Sequence, residues 1–560
     1  MQRVWAALYP PGTRADVNEA PFQTIGEMTA AAAQSYGDKT AFTTILPNGF
    51  SGSLTFKDVH HLSDAFAAYL RKELKLKSGD RVALQVPNTL VYPIAAFGIL
   101  KAGCVLVNVN PLYTGPEMAK QLGDAKPQAL IIINMFADKL TRALVDYAVP
   151  HIVLSEAADF FPSRARFIAR FVQRFIKRQI PHCPVAATDF SAAIAKGEAH
   201  LQKGTDVAAY AKDIDAHALA LLQYTGGTTG VAKGAMLSHR NILMNMAQSL
   251  EMVGIDIAKG EEVILSVLPL YHIFAFTINF LGFFWLGAEN VLIPNPRPLT
   301  NLRKAFSMRK ITWLTGVNTL FNGLTNSKWF VKNPPRHLKR VIAGGMALQT
   351  AVAERWRDVT GVGVIEGYGL TETSPVVTFN PFDRPVAGSI GLPIPSTDIR
   401  CVDDQEKEVA GGEVGELCVK GPQVMQGYWQ KPDETVKVLK DGWLHTGDMA
   451  TVDAQGYVRI VDRKKDMILH SGFNIYPNEV EDCLARHPQI IEAAVIGVPD
   501  GASGEAVKAF IVRRDESLTV QKVRDFCKEN LTAYKVPKFV EFRDSLPKSN
   551  VGKILRKDLR

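Results

Sequence analysis

The chain has 560 residues, of which 47% are apolar and 21% charged, and its formal net charge is +8. This length exceeds what one ordinary hydrophobic core supports, so we expect two or more domains in a globular enzyme. A modest positive charge favours anionic ligands without selecting nucleic acid, and no nucleic-acid-binding motif is present. We therefore expect no nucleic-acid partner.

The six cysteines are scattered without a C-x-x-C pair. A zinc site or disulfide framework is not expected, and the cytoplasm is the default compartment. The N-terminal residues carry no sustained apolar run and do not resemble a secretion signal.

The first part of the chain alternates between two kinds of apolar pattern. Leu62, Phe66 and Leu70 recur every four residues within 56–74, which predicts a helix, and 92–102 has the same character. Short apolar runs predict strands at 81–86, 105–109 and 129–133. This order predicts an α/β fold in which parallel sheets carry helices on both faces.

Residues 163–179 combine a phenylalanine stripe with a basic face. Phe167, Phe171 and Phe175 recur every four residues, while arginines and lysines occupy the other positions. A basic amphipathic helix of this kind suits an anionic membrane surface. An ordinary surface helix that packs its apolar stripe on the domain explains the same pattern, and both interpretations stay open.

A loop at 224–234 holds four glycines, three threonines and one lysine, and it follows an apolar run at 219–222 that predicts a strand. Glycines let the backbone approach an anion, while hydroxyls and an ammonium add donors. A Walker A motif requires Gly-Lys-Ser/Thr, but Lys233 lies between Ala232 and Gly234. The loop therefore predicts a phosphate site of another class.

Residues 263–288 contain no Asp, Glu, Lys or Arg and are long enough to cross a bilayer. Pro269, His272 and Asn279 interrupt the run. A strand, a turn at Pro269 and a buried helix are therefore expected instead of a membrane span.

Three later segments carry polar groups suited to nucleotide chemistry. Residues 366–373 follow an apolar run, and carboxylates close to phosphate require a cation such as Mg²⁺ between them. Asp448 follows a Gly turn, where an aspartate can accept both ribose hydroxyls. Beyond 461–466 the chain predicts a small α/β module, with Gly552-Lys553 near its end.

These segments together resemble the adenylate-forming superfamily, which contains acyl-CoA synthetases, peptide-synthetase adenylation domains and firefly-type luciferases. The loop at 224–234 resembles its phosphate loop, and 366–373 resembles its second signature. Residues 441–465 resemble the longer signature of fatty acyl-CoA synthetases. The resemblance implies a large N-terminal domain over 1–462 with parallel-rich sheets, a hinge at 463–465 and a small mobile C-terminal α/β domain over 466–560.

The resemblance also implies a nucleotide site. Its phosphate loop would bind the β- and γ-phosphates of ATP through Thr225, Gly226, Gly227, Thr228, Thr229, Gly230 and Lys233. The adenine would lie between a loop formed by Gly345, Met346 and Ala347 and a second segment formed by Glu366, Gly367 and Tyr368. Asp448 and Arg463 would contact the ribose.

Further roles carry over from the family to single positions. Lys553 would stabilise charge during attack on the α-phosphate, which Thr371 faces. Glu372 would bind Mg²⁺, with Thr225 as a further contact. His272 would form a gate between the carboxylate pocket and the CoA route. Lys465 would be the pivot of domain rotation, and Gly472 would belong to the loop that meets the pantetheine arm of CoA.

The implied reaction is ATP-dependent activation of a long-chain fatty acid to acyl-CoA through an acyl-adenylate, with AMP and pyrophosphate released. ATP, Mg²⁺ and CoA are the expected cofactors and co-substrates. A ligase of the same fold for medium-chain or aryl acids, a ligase that serves a carrier protein, and a membrane fatty-acid uptake or binding protein remain alternatives. We expect a cytoplasmic protein, whereas peripheral contact with the cytoplasmic face of the inner membrane and a homodimer both stay open.

Overall fold

The computed structural model of the chain describes residues 3–225, 232–253, 257–471, 473–501 and 504–560. Within these ranges the strands are β1 (Thr40–Ile45), β2 (Ser51–Thr55), β3 (Arg81–Gln85), β4 (Val105–Asn108), β5 (Ala129–Ile133), β6 (His151–Ser155), β7 (Thr188–Asp189), β8 (Leu219–Thr225), β9 (Lys233–Ser238), β10 (Val263–Ser266), β11 (Glu289–Leu292), β12 (Trp313–Gly316), β13 (Arg340–Ala343), β14 (Val364–Gly369), β15 (Val376–Phe379), β16 (Leu392–Pro393), β17 (Asp398–Val402), β18 (Gly415–Lys420), β19 (Leu439–Lys440), β20 (Trp443–Val452), β21 (Val458–Arg463), β22 (Ile468–His470), β23 (Phe473–Ile475), β24 (Ile490–Asp500), β25 (Gly504–Arg513) and β26 (Phe539–Phe542).

The α-helices in the same ranges are α1 (Glu27–Tyr36), α2 (Phe56–Ala68), α3 (Val91–Lys101), α4 (Gly115–Ala125), α5 (Leu140–Ala143), α6 (Ser163–Phe171), α7 (Phe190–Gln202), α8 (His239–Val253), α9 (Phe283–Trp285), α10 (Arg303–Met308), α11 (Asn318–Thr325), α12 (Lys328–Lys332), α13 (Thr350–Thr360), α14 (Pro432–Val438), α15 (Pro477–Ala485) and α16 (Val520–Asn530). Wider π-helical turns extend three helical stretches, at Tyr69–Glu73, Val172–Ile176 and Ala275–Gly282.

A seven-stranded sheet confirms the strands predicted in the first part of the chain. Its order is β7-β6-β5-β3-β4-β8-β9, and every pair is parallel except β8–β9. The predicted strands at 81–86, 105–109 and 129–133 are its adjacent members β3, β4 and β5. Their nearly complete burial explains why they are continuously apolar and do not alternate.

The helix predicted over 56–74 begins where its sequence caps it. The Thr55 hydroxyl accepts the backbone N–H of Asp58, and the Asp58 carboxylate accepts the backbone N–H of Thr55. The α-helix then runs to Ala68 and continues as the π-helical turn Tyr69–Glu73. Phe66 and Leu70, two of the three residues that gave the periodic signal, are fully buried.

A nine-stranded sheet lies beside the first and has the order β16-β15-β14-β13-β12-β10-β11-β1-β2. Its central strands are parallel, and antiparallel pairs close both edges. The segment 263–288 forms β10, a turn and then buried helical turns, as predicted. Among the described residues, no helix is long and apolar enough to cross a membrane.

A third, antiparallel sheet contains β17 to β21 and ends at Arg463. From Ile468 onward the strands β22 to β26 form a separate sheet that packs against α15 and α16. Two hydrophobic clusters in this part consist only of residues between Ile468 and Leu559. The C-terminal segment therefore has a core of its own.

The predicted amphipathic segment exposes its apolar stripe. It consists of α6 and the turn Val172–Ile176, and Ala169 is the buried residue of α6. Phe167 is 71% exposed and Phe175 62% exposed, and Phe171 is exposed as well. These phenylalanines do not pack on the domain, so the surface-helix interpretation does not explain them.

Candidate active site

The strands β8 and β9 present two of the predicted phosphate-loop residues. Thr225 ends β8 and is paired with Lys233, the first residue of β9. The predicted residues Gly226, Gly227, Thr228, Thr229 and Gly230 lie outside the described residues. The apolar run at 219–222 is confirmed as a strand.

Lys233 and Glu372 meet at a tyrosine. The Tyr428 hydroxyl donates to Glu372 Oε1 over 2.7 Å, and the Lys233 ammonium lies 5.2 Å from the Tyr428 ring centroid. Lys233 is also paired with Glu434 of α14. Because Lys233 and Glu372 are 139 positions apart in sequence, their approach depends on packing between the two sheets.

Glu372 is held by a short turn after β14. Thr371, Glu372 and Thr373 form a single 3-10 turn, and the Glu372 carbonyl accepts the backbone N–H of Met425. Neighbouring Thr371 is half-buried at the start of this turn. The strand β14 continues beyond the apolar run at 362–365 to Gly369, so the first half of the motif 366–373 belongs to a strand.

A second cluster contains the predicted ribose residues. The Tyr368 hydroxyl donates to Asp448 Oδ2 over 2.6 Å, and Arg463 Nε lies 3.4 Å from Asp448 Oδ1. Asp448 and Arg463 are directly opposite each other on the antiparallel strands β20 and β21. Burial raises the pKa of Asp448 above its usual range, and the nearby Arg463 guanidinium opposes this shift.

The carboxyl ends of β13 and β14 carry the predicted adenine loop and its neighbour. These parallel strands pair Ala343 with Glu366, so the loop at 344–347 and the segment at 366–368 start side by side. Burial raises the pKa of Glu366 to about 7, although its carboxylate accepts the backbone N–H of Leu348 at 3.3 Å. Ligand sites of open α/β sheets lie at this edge.

Gly345 leaves room for an incoming side chain. Its φ is +81°, which residues other than glycine rarely adopt, and an added Cβ would lie 3.2 Å from Lys553 Cε. Met346 and Ala347 follow in the same loop. Gly345 therefore allows the C-terminal segment to approach the end of β13.

Lys553 reaches this edge from the C-terminal segment. It lines a small cavity whose other walls are formed by Leu268, Pro269, His272, Phe274, Val317, Gly344, Gly345 and Val551. Thr319 Oγ1 donates to the Gly552 carbonyl over 2.8 Å and fixes the hairpin that carries Lys553. Burial, together with Arg463, lowers the pKa of Lys553 to about 8, and the carboxylates of Asp448 and Glu372 oppose the shift.

His272 faces Lys553 across the cavity. Burial, with a smaller contribution from the Lys553 charge, lowers the pKa of His272 to about 3. Its imidazole is therefore neutral at physiological pH. A neutral ring of this kind can shape the cavity but is not a proton donor of ordinary strength.

Of the two remaining predicted residues, the structure describes Lys465. Lys465 is exposed in a short 3-10 turn, Lys464–Asp466, and Gly472 lies outside the described residues. Beside Gly472, Phe473 is 54% exposed and stacks on Tyr534 of the same C-terminal segment. Phe473, the first residue of β23, thus contacts its own domain.

Sequence reasoning missed Tyr428 and Glu434. Both contact predicted residues, yet neither lies in a recognisable motif. Glu434 follows Pro432 in the first turn of α14, where an acidic residue is common for helix-dipole reasons alone. The sequence carried no signal that distinguished either residue from ordinary surface positions.

With this geometry in place, comparison with known proteins defines the class. The AMP-binding enzyme family matches residues 29–429, and its C-terminal domain matches 479–553. The chain belongs to the AMP-binding enzyme family.

Particular relatives extend the likeness to the whole chain. A long-chain-fatty-acid–CoA ligase of Salmonella typhimurium is 50% identical over 100% of this chain and 98% of its own length. Among solved structures, the anthranilate CoA ligase AuaEII in complex with anthranoyl-AMP has a TM-score of 0.83 at 26% identity, with 96% of each chain covered. ATP-bound MatB from Rhodopseudomonas palustris has a TM-score of 0.79 at 29% identity and covers 96% of this chain and 98% of its own.

The electrostatics at Lys553 make a prediction that needs no substrate. The rate at which an amine-selective reagent modifies Lys553 should rise with pH and reach half its limit near pH 8, because only the neutral amine reacts. Arg463→Gln should move this midpoint upward and Asp448→Asn downward. Peptide mass spectrometry after a short pulse measures the modification at each pH, and a midpoint unmoved in both variants would contradict the arrangement.

Proposed function

We propose that the chain is an AMP-forming ligase that converts long-chain fatty acids to acyl-CoA through an acyl-adenylate. The observation that carries the proposal is the position of Lys553, which lines one cavity with His272 and Gly345 and interacts electrostatically with Asp448 and Glu372. The relative from Salmonella typhimurium, similar over the full chain, supports the substrate class.

In the first half-reaction, a carboxylate oxygen of the fatty acid attacks the α-phosphorus of ATP. A new P–O bond forms, the bond to the bridging oxygen breaks, and pyrophosphate leaves. Negative charge concentrates on the oxygens of the pentacoordinate phosphorus, and the Lys553 ammonium is proposed to stabilise it. The neutral His272 imidazole would wall the carboxylate pocket without competing for this charge.

The nucleotide would use the residues gathered at the strand ends. Asp448 is the proposed acceptor for the ribose hydroxyls, with Arg463 opposite it. Tyr368 would pack on the adenine, and the loop at Gly345, Met346 and Ala347 would cover the other face. Lys233 and the loop before it are proposed to hold the β- and γ-phosphates.

The residues fit a magnesium ion that binds together with ATP. Mg²⁺ prefers oxygen ligands and in phosphate sites uses one or two carboxylates with phosphate oxygens. Glu372 offers a carboxylate and Thr225 a hydroxyl, whereas the described residues contain no group of three His, Cys, Asp or Glu that could hold a metal. When bound, the ion would neutralise charge on the phosphate oxygens.

In the second half-reaction, the CoA sulfur attacks the acyl carbonyl carbon, AMP leaves and the thiol proton is lost. We propose that the segment 466–560 rotates between the two halves about a hinge at 463–465, with Lys465 as the pivot. Rotation would withdraw Lys553 and bring the loop at 471–474 to the pantetheine arm. The separate core of the C-terminal segment supports movement as a rigid unit.

A second cavity, which is apolar, is the proposed place for the acyl chain. It lies between α8 and the buried helical turns, and it is lined by Met246, Ser249, Leu250, Val253, Ile257, Ile278, Gly282, Phe283 and Ile342. Its walls include Ile278, Gly282 and Phe283 of the uncharged segment 263–288. Burial of each CH₂ contributes about 0.8 kcal/mol, so the depth of the cavity would set chain-length preference.

The exposed phenylalanine stripe is proposed to bind an anionic lipid surface. Phe167, Phe171 and Phe175 are exposed on one helical segment, and Arg174, Lys177 and Arg178 beside them are exposed too. Arg170 forms an ion pair with Glu156 and is therefore not counted among the basic residues that would contact lipid. Apolar insertion with basic flanks is the pattern of an interfacial helix.

Lys553→Ala should separate the two half-reactions. Pyrophosphate release should fall by roughly 10²–10³-fold, because a charge aimed at the transition state is lost. Thioester formation from supplied acyl-AMP should stay within a few-fold of the unmodified enzyme. Lys557→Ala, an exposed lysine four residues later, is the matched control. Equal losses in both half-reactions would contradict the assignment.

Gly282→Leu should shift preference toward shorter acids. A Cβ at this position meets only ordinary contacts, 3.4 Å from the Thr277 carbonyl oxygen and 4.0 Å from Leu250, so a larger side chain can extend into the cavity. Each excluded CH₂ should reduce kcat/KM by about fourfold. A chain-length series of acids measures the shift, and Gly282→Ala is the control. An unchanged profile would place the acyl chain elsewhere.

Membrane binding should depend on the phenylalanine stripe. The triple variant Phe167→Ser, Phe171→Ser, Phe175→Ser should lose most co-sedimentation with vesicles of phosphatidylglycerol, and salt should weaken binding of the unmodified protein. Val145→Ser with Val436→Ser, which replaces equally exposed apolar residues elsewhere, is the control. Unaltered sedimentation of the triple variant would refute lipid binding at this helix.

A further inference from the structure

Asp462, the last residue before the proposed hinge, is 1% exposed, and its carboxylate accepts hydrogen bonds from the hinge itself and from residues beyond it. It lies on β21 of the third sheet, in the N-terminal part of the molecule. Its Oδ1 accepts the adjacent Arg463 backbone N–H at 2.7 Å, and its Oδ2 accepts the Asn478 backbone N–H at 2.8 Å. Asn478 belongs to α15, beyond the hinge.

Arg556 joins the same carboxylate from the end of the chain. Its Nη1 donates to Asp462 Oδ1 over 3.0 Å. Its remaining donors bind groups of α15: Nη2 donates to Asn478 Oδ1 at 2.7 Å and to Glu481 Oε2 at 2.9 Å, and Nε donates to Glu481 Oε1 at 3.1 Å. Arg556 therefore spans the hinge, with α15 on one side and Asp462 on the other.

These bonds would fare differently in a rotation about 463–465. The bonds from Arg556 to Glu481 and Asn478 lie within the C-terminal segment and would travel with it. The bonds from Arg556 and from the Asn478 N–H to Asp462 cross the hinge and would break. Asp462 would then need new partners, because a buried carboxylate is costly when left unpaired.

Arg556 follows Lys553 by only three residues, so its position is coupled to that of the ammonium. The hairpin that carries Lys553 is closed just before Arg556: the Ser549 N–H donates to the Lys553 carbonyl at 2.7 Å, and the Leu555 N–H donates to the Pro547 carbonyl at 2.9 Å. Whatever fixes Arg556 on Asp462 also fixes the arm that carries Lys553.

We propose that Asp462 and Arg556 form a latch across the hinge that stabilises the orientation in which Lys553 lines the cavity. The proposal rests on the proposed two-step function and its hinge. It makes Asp462 and Arg556 positioning residues, which act on the reaction through Lys553. A ligand or solvent event that opens the latch would release the C-terminal segment for the second half-reaction.

The position of the C-terminal segment can be tested without any activity. Arg514 Nη2 donates to Asn326 Oδ1 across the two parts of the molecule at 2.8 Å. In an Asn326→Cys/Arg514→Cys background, a short bis-maleimide should link the two parts efficiently. Adding Asp462→Asn should lower the linking yield several-fold. Arg560→Gln is the control, since its partner Asp466 lies on the same side of the hinge. An unchanged yield with Asp462→Asn would overturn the latch.

Half-reaction assays add a second readout. Asp462→Asn should lower pyrophosphate release about tenfold, the loss expected for one charge-assisted hydrogen bond, and leave thioester formation from acyl-AMP unchanged or faster. Equal losses in both, with a lower Tm, would mean a merely structural role. If Asp462→Asn does not fold, Arg556→Lys, which keeps the charge but loses the fork, should shift both readouts in the same direction. An unmodified enzyme that forms no adenylate would refute the proposed function, while the linking yield would still decide the latch.

Discussion

The arrangement of this molecule depends on the enclosed ammonium of Lys553. Enclosing a cation away from bulk water is costly unless nearby carboxylates compensate for the lost solvation. Asp448 and Glu372 favour the charged form of Lys553, whereas Arg463 disfavours it. Glycine at 345 leaves the space that the side chain crosses. The C-terminal segment therefore supplies the ammonium, and the N-terminal part supplies the carboxylates that stabilise it.

The parallel sheet explains how the loop at 344–347 and the segment at 366–368 come together. Parallel strands bring their carboxyl ends to one edge, so loops that are distant in sequence converge there without any local signal between them. Glu366 lies on β14 opposite Ala343, and the loop with Gly345 follows β13. The sheet fixes their spacing, and the C-terminal hairpin supplies the cation from outside the sheet.

The sequence predicted the parts of this site that carry local patterns. Apolar runs predicted β3, β4, β5 and β8, and the motif residues Tyr368, Asp448 and Lys553 lie on β14, on β20 and in the C-terminal hairpin respectively. The contacts between motifs were not predictable, because they depend on packing between sheets. Tyr428, which joins Glu372 and Lys233, and Arg556, which spans the hinge, are ordinary residues until the fold brings their partners to them.

The same distinction applies to the phenylalanine stripe. Periodicity predicted the helix at 163–179, but a period of 3.6 is the same for a stripe that packs on a domain and one that faces outward. Only the exposure of Phe167 and Phe175 separates the two cases. Sequence patterns thus define which face of a helix is apolar, and the tertiary structure decides what that face meets.

The ion pair between Lys233 and Glu434 has a consequence for anion selectivity. Hydrogen bonds from two ammonium groups, Lys233 and Lys437, lower the pKa of Glu434 to about 2, so this carboxylate is charged at any physiological pH. An anion that recruits Lys233 must displace an internal competitor that is always present. A singly charged anion gains little by that exchange, whereas a polyphosphate that engages several donors at once gains more. If Lys233 holds phosphates as proposed, this competition would favour polyphosphates over common small anions.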